Sequence, residues 1–335
     1  QMLGLPDEFS RRVARNTALV LQEEALLNRV IDPAGGSWFL DTLTDQLAQQ
    51  AWAVFQQIDR SGGMLAVLES GWVVEQIDSA FAPRAKDIAR RKEGITGVSE
   101  FPNIAEEREA RPPPDMPSLR RAAASRIADN RTDIDAELLN SLASRTGRFS
   151  AAIESALAGA TIGQMATALG FHEEPYTLQH HLEPRSLAAP FERLRDASDA
   201  WLEKQGRRPT IFLANMGPVA HHTARATYSK NFFEAGGFEV VTNDGFGEVE
   251  AAVAAFRESG ATVAVICSSD KLYPQFVPHL APALKEAGAR SVILAGHNGD
   301  SEAAYRSAGV DRFIFIKCDV LQTLEEMLRE EGVIA

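Results

Sequence analysis

The chain has 335 residues, of which 45% are hydrophobic, and a formal net charge of -12. This length predicts about two domains, and the apolar fraction is that of a globular protein with a packed core. The negative charge disfavours nucleic acid and anionic membrane surfaces as partners, and no apolar run approaches the ~20 residues of a membrane helix. The thiols of Cys267 and Cys318 are too few for a disulfide framework, so we expect a cytoplasmic protein.

Residues 1–105 are predicted to form a helix, a short strand, a tight turn and a long helix. The turn is the DPAGGSW sequence of Asp32–Trp38, in which proline fixes one backbone dihedral and two glycines permit positive ones. Apolar side chains then recur at helical spacing from a Thr42 cap, until Gly62 and Gly63 end the helix. This stretch is too short to close a barrel or an open sheet by itself.

Residues 106–208 are predicted to be a linker that is mostly helical. Its first part, Glu106–Pro117, contains the sequence EEREARPPPDMP, whose charges and three consecutive prolines do not fit a helix interior or a central strand. The pattern from Leu119 to Ala168 is helical. Around His172–Pro190 the sequence HEEPYTLQHHLEP, with two prolines and clustered polar residues, indicates a loop.

Residues 209–335 alternate short apolar, β-branched runs with helical stretches. Runs of continuous apolar character are typical of strands buried on both faces, so they predict a parallel sheet covered by helices. The resulting fold is a doubly wound α/β domain, in which ligands bind at the carboxyl ends of the strands. The five predicted strands are Thr210–Asn215, Phe238–Thr242, Thr262–Cys267, Ser291–Gly296 and Arg312–Lys317.

Two adjacent histidines follow the first predicted strand, in the loop NMGPVAHH. His221 or His222 at a helix start would be within reach of a metal or a cofactor. Neighbouring side chains diverge on a helix, however, so both rings cannot face one metal, and no carboxylate precedes them to orient a ring. The alternative is a solvated helix cap without a ligand role.

The loops after the later strands offer few chemical groups. The sequence SSDKLY begins with Ser268 and is typical of a helix cap, because Ser and Asp satisfy the free amides of an N-terminus. Gly296 opens the GHNGD loop after the fourth strand, and Asp319 is predicted to cap the last helix. No nucleophile, base and orienting group stand at a recognisable spacing.

The sequence RNTALVLQEEALLNRVIDPAGGSWFLD, Arg15–Asp41, resembles the end of the barrel domain of methylmalonyl-CoA mutases. In that family a substrate barrel is followed by a long helical linker and a five-stranded cobalamin domain. The resemblance therefore implies the end of a (β/α)8 acyl-CoA mutase barrel in 1–105, the linker in 106–208 and a flavodoxin-like, cobalamin-type domain in 209–335. Because the chain opens on Gln1 inside a helical pattern, we expect it to be part of a longer subunit.

The sequence departs from the family's cofactor motif in the first loop of the last domain. In cobalamin-binding members this loop holds Asp-x-His-x-x-Gly, whose His lies beneath cobalt while the Asp orients its ring. If His221 takes the ligand position, Val219 stands in the place of the Asp; if His222 takes it, Ala220 does. The carboxylate is missing in both registers, and so is the glycine.

The other contact positions differ as well. A Ser that meets the cofactor falls near Cys267, beside Ser268, and the bulky sequence DKLY follows where small residues would admit the nucleotide tail. Gly296 remains after the fourth strand, while IKCD after the fifth has no glycine. Side chains in these places block the close backbone approach that a buried tail needs.

This pattern is similar to the non-catalytic small subunit of heterodimeric mutases. The resemblance implies a partner large subunit that carries adenosylcobalamin and interconverts succinyl-CoA and methylmalonyl-CoA, with no catalytic residue, metal or cofactor in this chain. Two alternatives stay open: an active cobalamin-binding mutase with an atypical lower-ligand loop, and a docking module without catalysis. In the first, His221 or His222 would ligate cobalt, with Ser268 and Gly296 as further cofactor contacts.

Overall fold

The computed structural model describes residues 6–106, 115–129, 134–144, 146–171, 177–297 and 299–335. The chain divides into two compact units, Gln1–Glu69 with Arg108–Gln179, and Ser70–Glu107 with His180–Ala335. Residues 70–107, which the sequence groups with the first predicted domain, thus belong to the unit that contains the sheet. Parts of the linker around Glu106–Pro117 and His172–Pro190 lie outside the described residues.

Helices account for most of the described chain outside the sheet. Within these ranges no helix is both long and apolar enough to cross a bilayer. Short 3₁₀ turns are found at Leu27–Arg29 and Gly299–Ser301. The α-helices of the described residues are, in chain order, α1 Glu8–Glu23, α2 Trp38–Arg60, α3 Met64–Glu69, α4 Trp72–Ala89, α5 Met116–Asp129, α6 Ala136–Ser141, α7 Arg148–Leu157, α8 Ile162–Ala168, α9 Ala189–Gln205, α10 Val219–Glu234, α11 Val249–Ser259, α12 Tyr273–Glu286, α13 Glu302–Ser307 and α14 Val320–Glu330.

Helix α2 of the first unit begins earlier than predicted. Its N-cap is Ser37, whose hydroxyl accepts a hydrogen bond from the Leu40 amide at 3.4 Å, so the predicted Thr42 cap is wrong. Ser37 lies at the end of the DPAGGSW turn, where an extended backbone lets the hydroxyl reach the amide. The helix ends at Arg60, and Gly62 and Gly63 follow with φ of +94° and +92°, as predicted.

The predicted short strand before the DPAGGSW turn is absent from the described residues. The segment 24–37 instead contains a turn that follows α1, the 3₁₀ turn Leu27–Arg29 and loop. Helices α1 and α2 are amphipathic, yet neither buries a residue in the described structure. Helix α8 is capped by reciprocal hydrogen bonds between Thr161 and Gln164, which satisfy two amides at its N-terminus.

The second unit is built on a five-stranded sheet in the order β2-β1-β3-β4-β5, with every neighbouring pair parallel. The prediction of five parallel strands is therefore confirmed. Asn215 at the end of β1 is in register with Cys267 at the end of β3, so the loops that follow both strands meet at one edge. The strands are β1 Thr210–Asn215, β2 Glu239–Val241, β3 Val263–Cys267, β4 Ser291–Ala295 and β5 Arg312–Ile314.

Strand β5 is shorter than predicted. The apolar sequence RFIFIK continues to Lys317, but the strand ends at Ile314. Ile316 is 77% exposed, and Lys317 adopts a left-handed backbone with φ of +77°. A left-handed residue cannot continue a strand, so the predicted extension to Lys317 is wrong.

Two apolar clusters cover the two faces of the sheet. Phe212 and Ala214 of β1 point into one cluster, while Ile211 and Leu213 point into the other, as the twofold period of a strand requires. Burial of each large apolar side chain contributes about 1.5–3 kcal/mol. The first cluster includes Phe256 of α11 with Phe276 and Leu280 of α12, and the second includes Ile88 of α4, Phe191 of α9, Phe232 of α10 and Leu324 of α14.

Candidate functional site

The two candidate histidines stand in the first turn of α10, directly after β1, and they diverge as predicted. His221 Nδ1 lies 2.9 Å from the hydroxyl of Ser269, in the loop after β3. His222 is 4% exposed and faces Gly245, where a Cβ would lie 2.5 Å from its Nε2. The two rings therefore point to different parts of the fold and are not placed to bind one metal together.

His222 sits in an environment that favours its neutral form. Burial lowers the pKa of His222, while the backbone and the carboxylate of Asp244 act in the opposite direction. The ring contacts the Asp244 backbone, although this contact does not have the geometry of a normal hydrogen bond. Among the described residues, the His221 ring is contacted by the hydroxyl of Ser269 and not by a carboxylate that could orient it.

Ser268 is buried at the end of β3, and its hydrogen bonds are internal. Its hydroxyl donates to the Met216 carbonyl at 2.9 Å, and its amide donates to the Tyr273 hydroxyl at 3.2 Å. Tyr273 is fully buried at the start of α12 and donates to the Ala295 carbonyl at 2.6 Å. Burial strongly raises the pKa of the Tyr273 phenol, so it remains a hydrogen-bond donor.

Arg225 of α10 reaches the same place at the end of β4. Its Nη1 donates to the Ala295 carbonyl at 2.9 Å, and its Nη2 donates to Asp270 Oδ1 at 3.0 Å. A Cβ at Gly296 would lie 2.9 Å from Arg225 Nη1 and 3.4 Å from the Tyr273 ring. The space beside this glycine is thus filled by two of the protein's own side chains.

The space between α10, α14 and the sheet is also occupied. Ser229 of α10 lies 3.5 Å from the thiol of Cys267, and Tyr228 lies 4.0 Å from the thiol of Cys318. Burial raises the pKa of Cys267 to about 12 and also raises that of Cys318. Both thiols are therefore protonated near neutral pH, which excludes a role as activated nucleophiles.

The described residues contain no group of three or more His, Cys, Asp and Glu side chains placed to hold a metal. Asp319, the predicted cap of the last helix, accepts a hydrogen bond from the Gln322 amide at 3.1 Å, which confirms that role. The four candidate site residues all lie at the carboxyl edge of the sheet. His221, Ser268 and Gly296 contact other side chains or backbone groups of the protein, whereas His222 lies beside a separate cavity.

Three features of this edge were not predicted. The first is the contact of His221 with Ser269, and the second is the approach of Arg225 and Tyr273 to the Ala295 carbonyl. Both join segments that are distant in the sequence. The cavity beside His222 was also not predicted, although the lining residues that α10 contributes recur at helical spacing. Positions 222, 223, 226, 227 and 230 lie on one face of α10, and four of them are polar.

The parallel five-stranded sheet with its packed helices defines an α/β protein whose carboxyl edge is closed by internal side chains. The chain belongs to the methylmalonyl-CoA mutase family, because the family model described as methylmalonyl-CoA mutase matches residues 1–173. The predicted family membership is confirmed.

Similar proteins cover nearly the whole chain. It is 40% identical over 337 residues to the methylmalonyl-CoA mutase small subunit of Streptomyces virginiae, a match that covers 99% of this chain and 43% of the relative. The small subunit of Propionibacterium freudenreichii subsp. shermanii is 34% identical, with 99% and 43% covered. The methylmalonyl-CoA mutase of Escherichia coli (strain K12) is 30% identical, with 88% and 44% covered. The chain spans less than half the length of these relatives.

Proposed function

We propose that the chain belongs to the non-catalytic small subunit of a heterodimeric, adenosylcobalamin-dependent methylmalonyl-CoA mutase. The single observation that carries the proposal is the filling of the space beside Gly296 by Arg225 and Tyr273. In this proposal the large subunit binds the cofactor and interconverts succinyl-CoA and methylmalonyl-CoA. The names of several relatives as small subunits support it.

The histidines do not fit the lower ligand of cobalamin. A cobalt-ligating imidazole needs an orienting acceptor behind it and an open approach in front. The Nδ1 atom of His221 lies beside the Ser269 hydroxyl. The two residues that precede it in the helix, Val219 and Ala220, carry no carboxylate. His222 is buried and faces Gly245. Neither ring meets both requirements.

The groove for the nucleotide tail does not fit the cofactor either. The Ser268 hydroxyl is committed to the Met216 carbonyl, and the Tyr273 ring lies fully buried behind it. Opening a path beside Gly296 would break the hydrogen bonds of Arg225 and Tyr273 to Ala295. We therefore propose that the four candidate residues have structural roles and that this chain holds neither cobalt nor corrin.

The architecture proposed from the sequence agrees with this assignment. The strand order and the apolar clusters on both faces of the sheet support a doubly wound, flavodoxin-like domain of the cobalamin-binding type in 209–335. The family match to residues 1–173 supports the end of the mutase barrel in 1–105 and a linker in 106–208. A cytoplasmic location and a heterodimer with the large subunit complete the proposal.

The test is a titration of the purified subunit, in its complex and alone, with adenosylcobalamin and hydroxocobalamin, followed by visible spectroscopy. The proposal expects cobalamin to be recovered with the large subunit only, and no spectral change in the isolated small subunit at micromolar concentration. The E. coli relative, named as a methylmalonyl-CoA mutase, favours the alternative of an active enzyme. A red-shifted spectrum of the isolated small subunit, lost in His221→Ala or His222→Ala, would establish that alternative.

A further inference from the structure

The segment 90–104, here called the strap, follows α4 and is held by side chains that are distant in the sequence. The carbonyl of Gly97 accepts a hydrogen bond from Arg195 of α9 at 3.0 Å. The carbonyl of Ile104, at the end of the strap, accepts one from Arg208 at 3.2 Å. The strap is therefore fixed to the sheet unit at its middle and at its end.

A buried ion pair closes the strap against α10. The guanidinium of Arg91 donates two hydrogen bonds to the carboxylate of Glu100, at 2.8 Å and 2.6 Å, and the Arg91 side chain is only 8% exposed. Asn231 of α10 donates to the same carboxylate at 3.3 Å and accepts from the amide of Phe101 at 2.9 Å. Bidentate pairs of this kind are strong and directional, so Glu100 is the group that keeps the strap closed.

The backbone of the strap is strained at both ends of this ion pair. Arg91 and Phe101 have φ of +54° and +51°, in the left-handed region that residues other than glycine rarely adopt. Such residues keep this conformation only where surrounding contacts enforce it. Loss of the ion pair would therefore allow the backbone at both ends to relax and the strap to open.

The strap also contacts the loop that follows β5. The Arg91 guanidinium lies over the ring of Tyr228 of α10, 5.7 Å from its centroid, and the Tyr228 hydroxyl lies 4.0 Å from the thiol of Cys318. The preceding residue, Arg90, places its Nε 3.8 Å from Asp319 Oδ2. The strap thus reaches two neighbouring residues of the loop, one through Tyr228 and the other directly.

The loop after β5, residues 315–319, is itself strained. Lys317 has φ of +77°, and the side chain before it, Ile316, is 77% exposed. This left-handed backbone needs restraint from its surroundings, and the strap contacts the two residues that follow it. We propose that the strap is a conformational device: closed by the Arg91–Glu100 pair, it holds the 315–319 loop in its left-handed form, and its opening releases that loop.

The device links two distant parts of the sheet unit. One is the chain that leaves α4, and the other is the carboxyl edge of the sheet, where the 315–319 loop presents Ile316. Because coupling between two sites is reciprocal, a group that displaces the 315–319 loop also loosens the strap.

The test uses the full-length subunit in its natural complex, with hydrogen–deuterium exchange and iodoacetamide labelling of Cys318 read by mass spectrometry. Glu100→Gln keeps the size of the side chain and removes its charge. It is expected to speed exchange in 92–101 and 315–319, and labelling of Cys318, by at least about tenfold, because local opening exposes both segments. Glu93→Gln is the matched control and should behave like the parent, since Glu93 of the strap pairs with Arg84 of α4.

Two results with Glu100→Gln overturn the proposal. Faster exchange in 92–101 with parental exchange in 315–319 and parental labelling of Cys318 would show that the strap does not hold the loop. Parental exchange in both segments would show that Glu100 does not close the strap.

A second variant decides the question if Glu100→Gln fails to fold by circular dichroism. Arg90→Ala removes the direct contact with Asp319 and leaves the Arg91–Glu100 pair in place. It is expected to speed exchange in 315–319 by about two- to fivefold while 92–101 exchanges like the parent. Lys92→Ala, which breaks an exposed pair with Asp87, is the control. Equal exchange of 315–319 in Arg90→Ala and Lys92→Ala overturns the proposal.

Discussion

Arg225 and Tyr273 donate hydrogen bonds to the same oxygen, the carbonyl of Ala295, at 2.9 Å and 2.6 Å. The two side chains come from α10 and α12 and meet at the end of β4. A guanidinium and a phenol on one carbonyl fix the positions of both helices relative to the strand. They also occupy the volume that a glycine after β4 would otherwise leave open.

Tyr273→Phe is expected to destabilise the protein by about 1–2 kcal/mol without changing its fold, because the Ala295 carbonyl and the Ser268 amide lose a buried partner. Urea denaturation followed by circular dichroism measures the change. Tyr305→Phe is the matched control, since Tyr305 is buried in the same cluster but its hydroxyl makes no hydrogen bond to the described residues. Equal losses in the two variants would contradict the role of the Tyr273 hydroxyl.

Gly296→Ala is expected to destabilise the protein by about 1–3 kcal/mol, because the new Cβ would lie 2.9 Å from Arg225 Nη1. In an Arg225→Ala background the same change should be close to neutral. A double-mutant cycle of unfolding free energies measures this coupling. Gly299→Ala is the control, since a Cβ there meets no atom within 4 Å. Additive effects in the cycle would show that the guanidinium does not fill this space.

If the proposed function holds, His221→Ala is expected to leave the mutase activity of the complex reconstituted with a large subunit within about twofold of the parent, because the ring contacts a hydroxyl and has no orienting acid. Initial rates at saturating cofactor test this. Ser269→Ala, which removes the same contact from the other side, should behave alike. A loss of tenfold or more, about 1.4 kcal/mol in the barrier, would indicate that His221 acts in the reaction.

Cys267 is expected to resist alkylation in the folded protein. With its pKa raised to about 12, the thiolate fraction near pH 8 falls roughly a thousandfold below that of an ordinary thiol. Iodoacetamide labelling of a Cys318→Ser variant, with and without urea, isolates the reactivity of Cys267. Labelling should be rapid only in urea. Rapid labelling of the folded protein would mean that the β3 end opens to solvent.

Glu330 is expected to make the stability depend on pH. Hydrogen bonds from Arg312, one of them 2.8 Å long, hold the pKa of Glu330 below its usual value of 4.5. Its contribution is thus complete above the unfolded pKa and disappears as the pH falls through the lower folded pKa. Because the pair is partly exposed, the parent should exceed Glu330→Gln by only about 0.2–1 kcal/mol near neutral pH.

The unfolding free energies of the parent and Glu330→Gln, measured from about pH 7 down to about pH 3, follow this difference. It should shrink on the acid side. Glu325→Gln, which breaks an exposed i,i+4 pair with Arg329, serves as the control with a smaller effect. A difference that grows on acidification would have the wrong sign for a carboxylate with a lowered pKa.

The three central strands of the sheet, β1, β3 and β4, could be predicted from the sequence because each is a continuous apolar run, which fits burial on both faces. The limits of the runs were less reliable. The apolar run that contains Ile316 continues beyond the end of β5. Lys317, the next residue, has a left-handed backbone that does not fit a strand, and its residue type does not indicate this conformation. Similarly, Ser37 caps α2 from inside a predicted turn.

The candidate site was predicted in part. The divergence of His221 and His222 follows from helix geometry alone, so adjacency in sequence was sufficient to predict it. The sequence predicted that the bulky DKLY run, which ends in Tyr273, blocks the groove. It did not predict that Arg225 joins Tyr273 at the Ala295 carbonyl, because that requires knowing that the ends of β1, β3 and β4 meet. Sequence showed which residues were missing from a motif; only the fold showed which side chains took their space.

The two hydrogen bonds at the Ala295 carbonyl also bear on whether the stability of this edge depends on the supply of a cofactor. A groove shaped by a bound vitamin gains stability in proportion to the supply of that vitamin. The carboxyl edge here is completed by covalently attached side chains, Arg225 and Tyr273, which are present from synthesis onward. On the proposal that this chain binds no corrin, its thermal stability should therefore not change with the concentration of the vitamin.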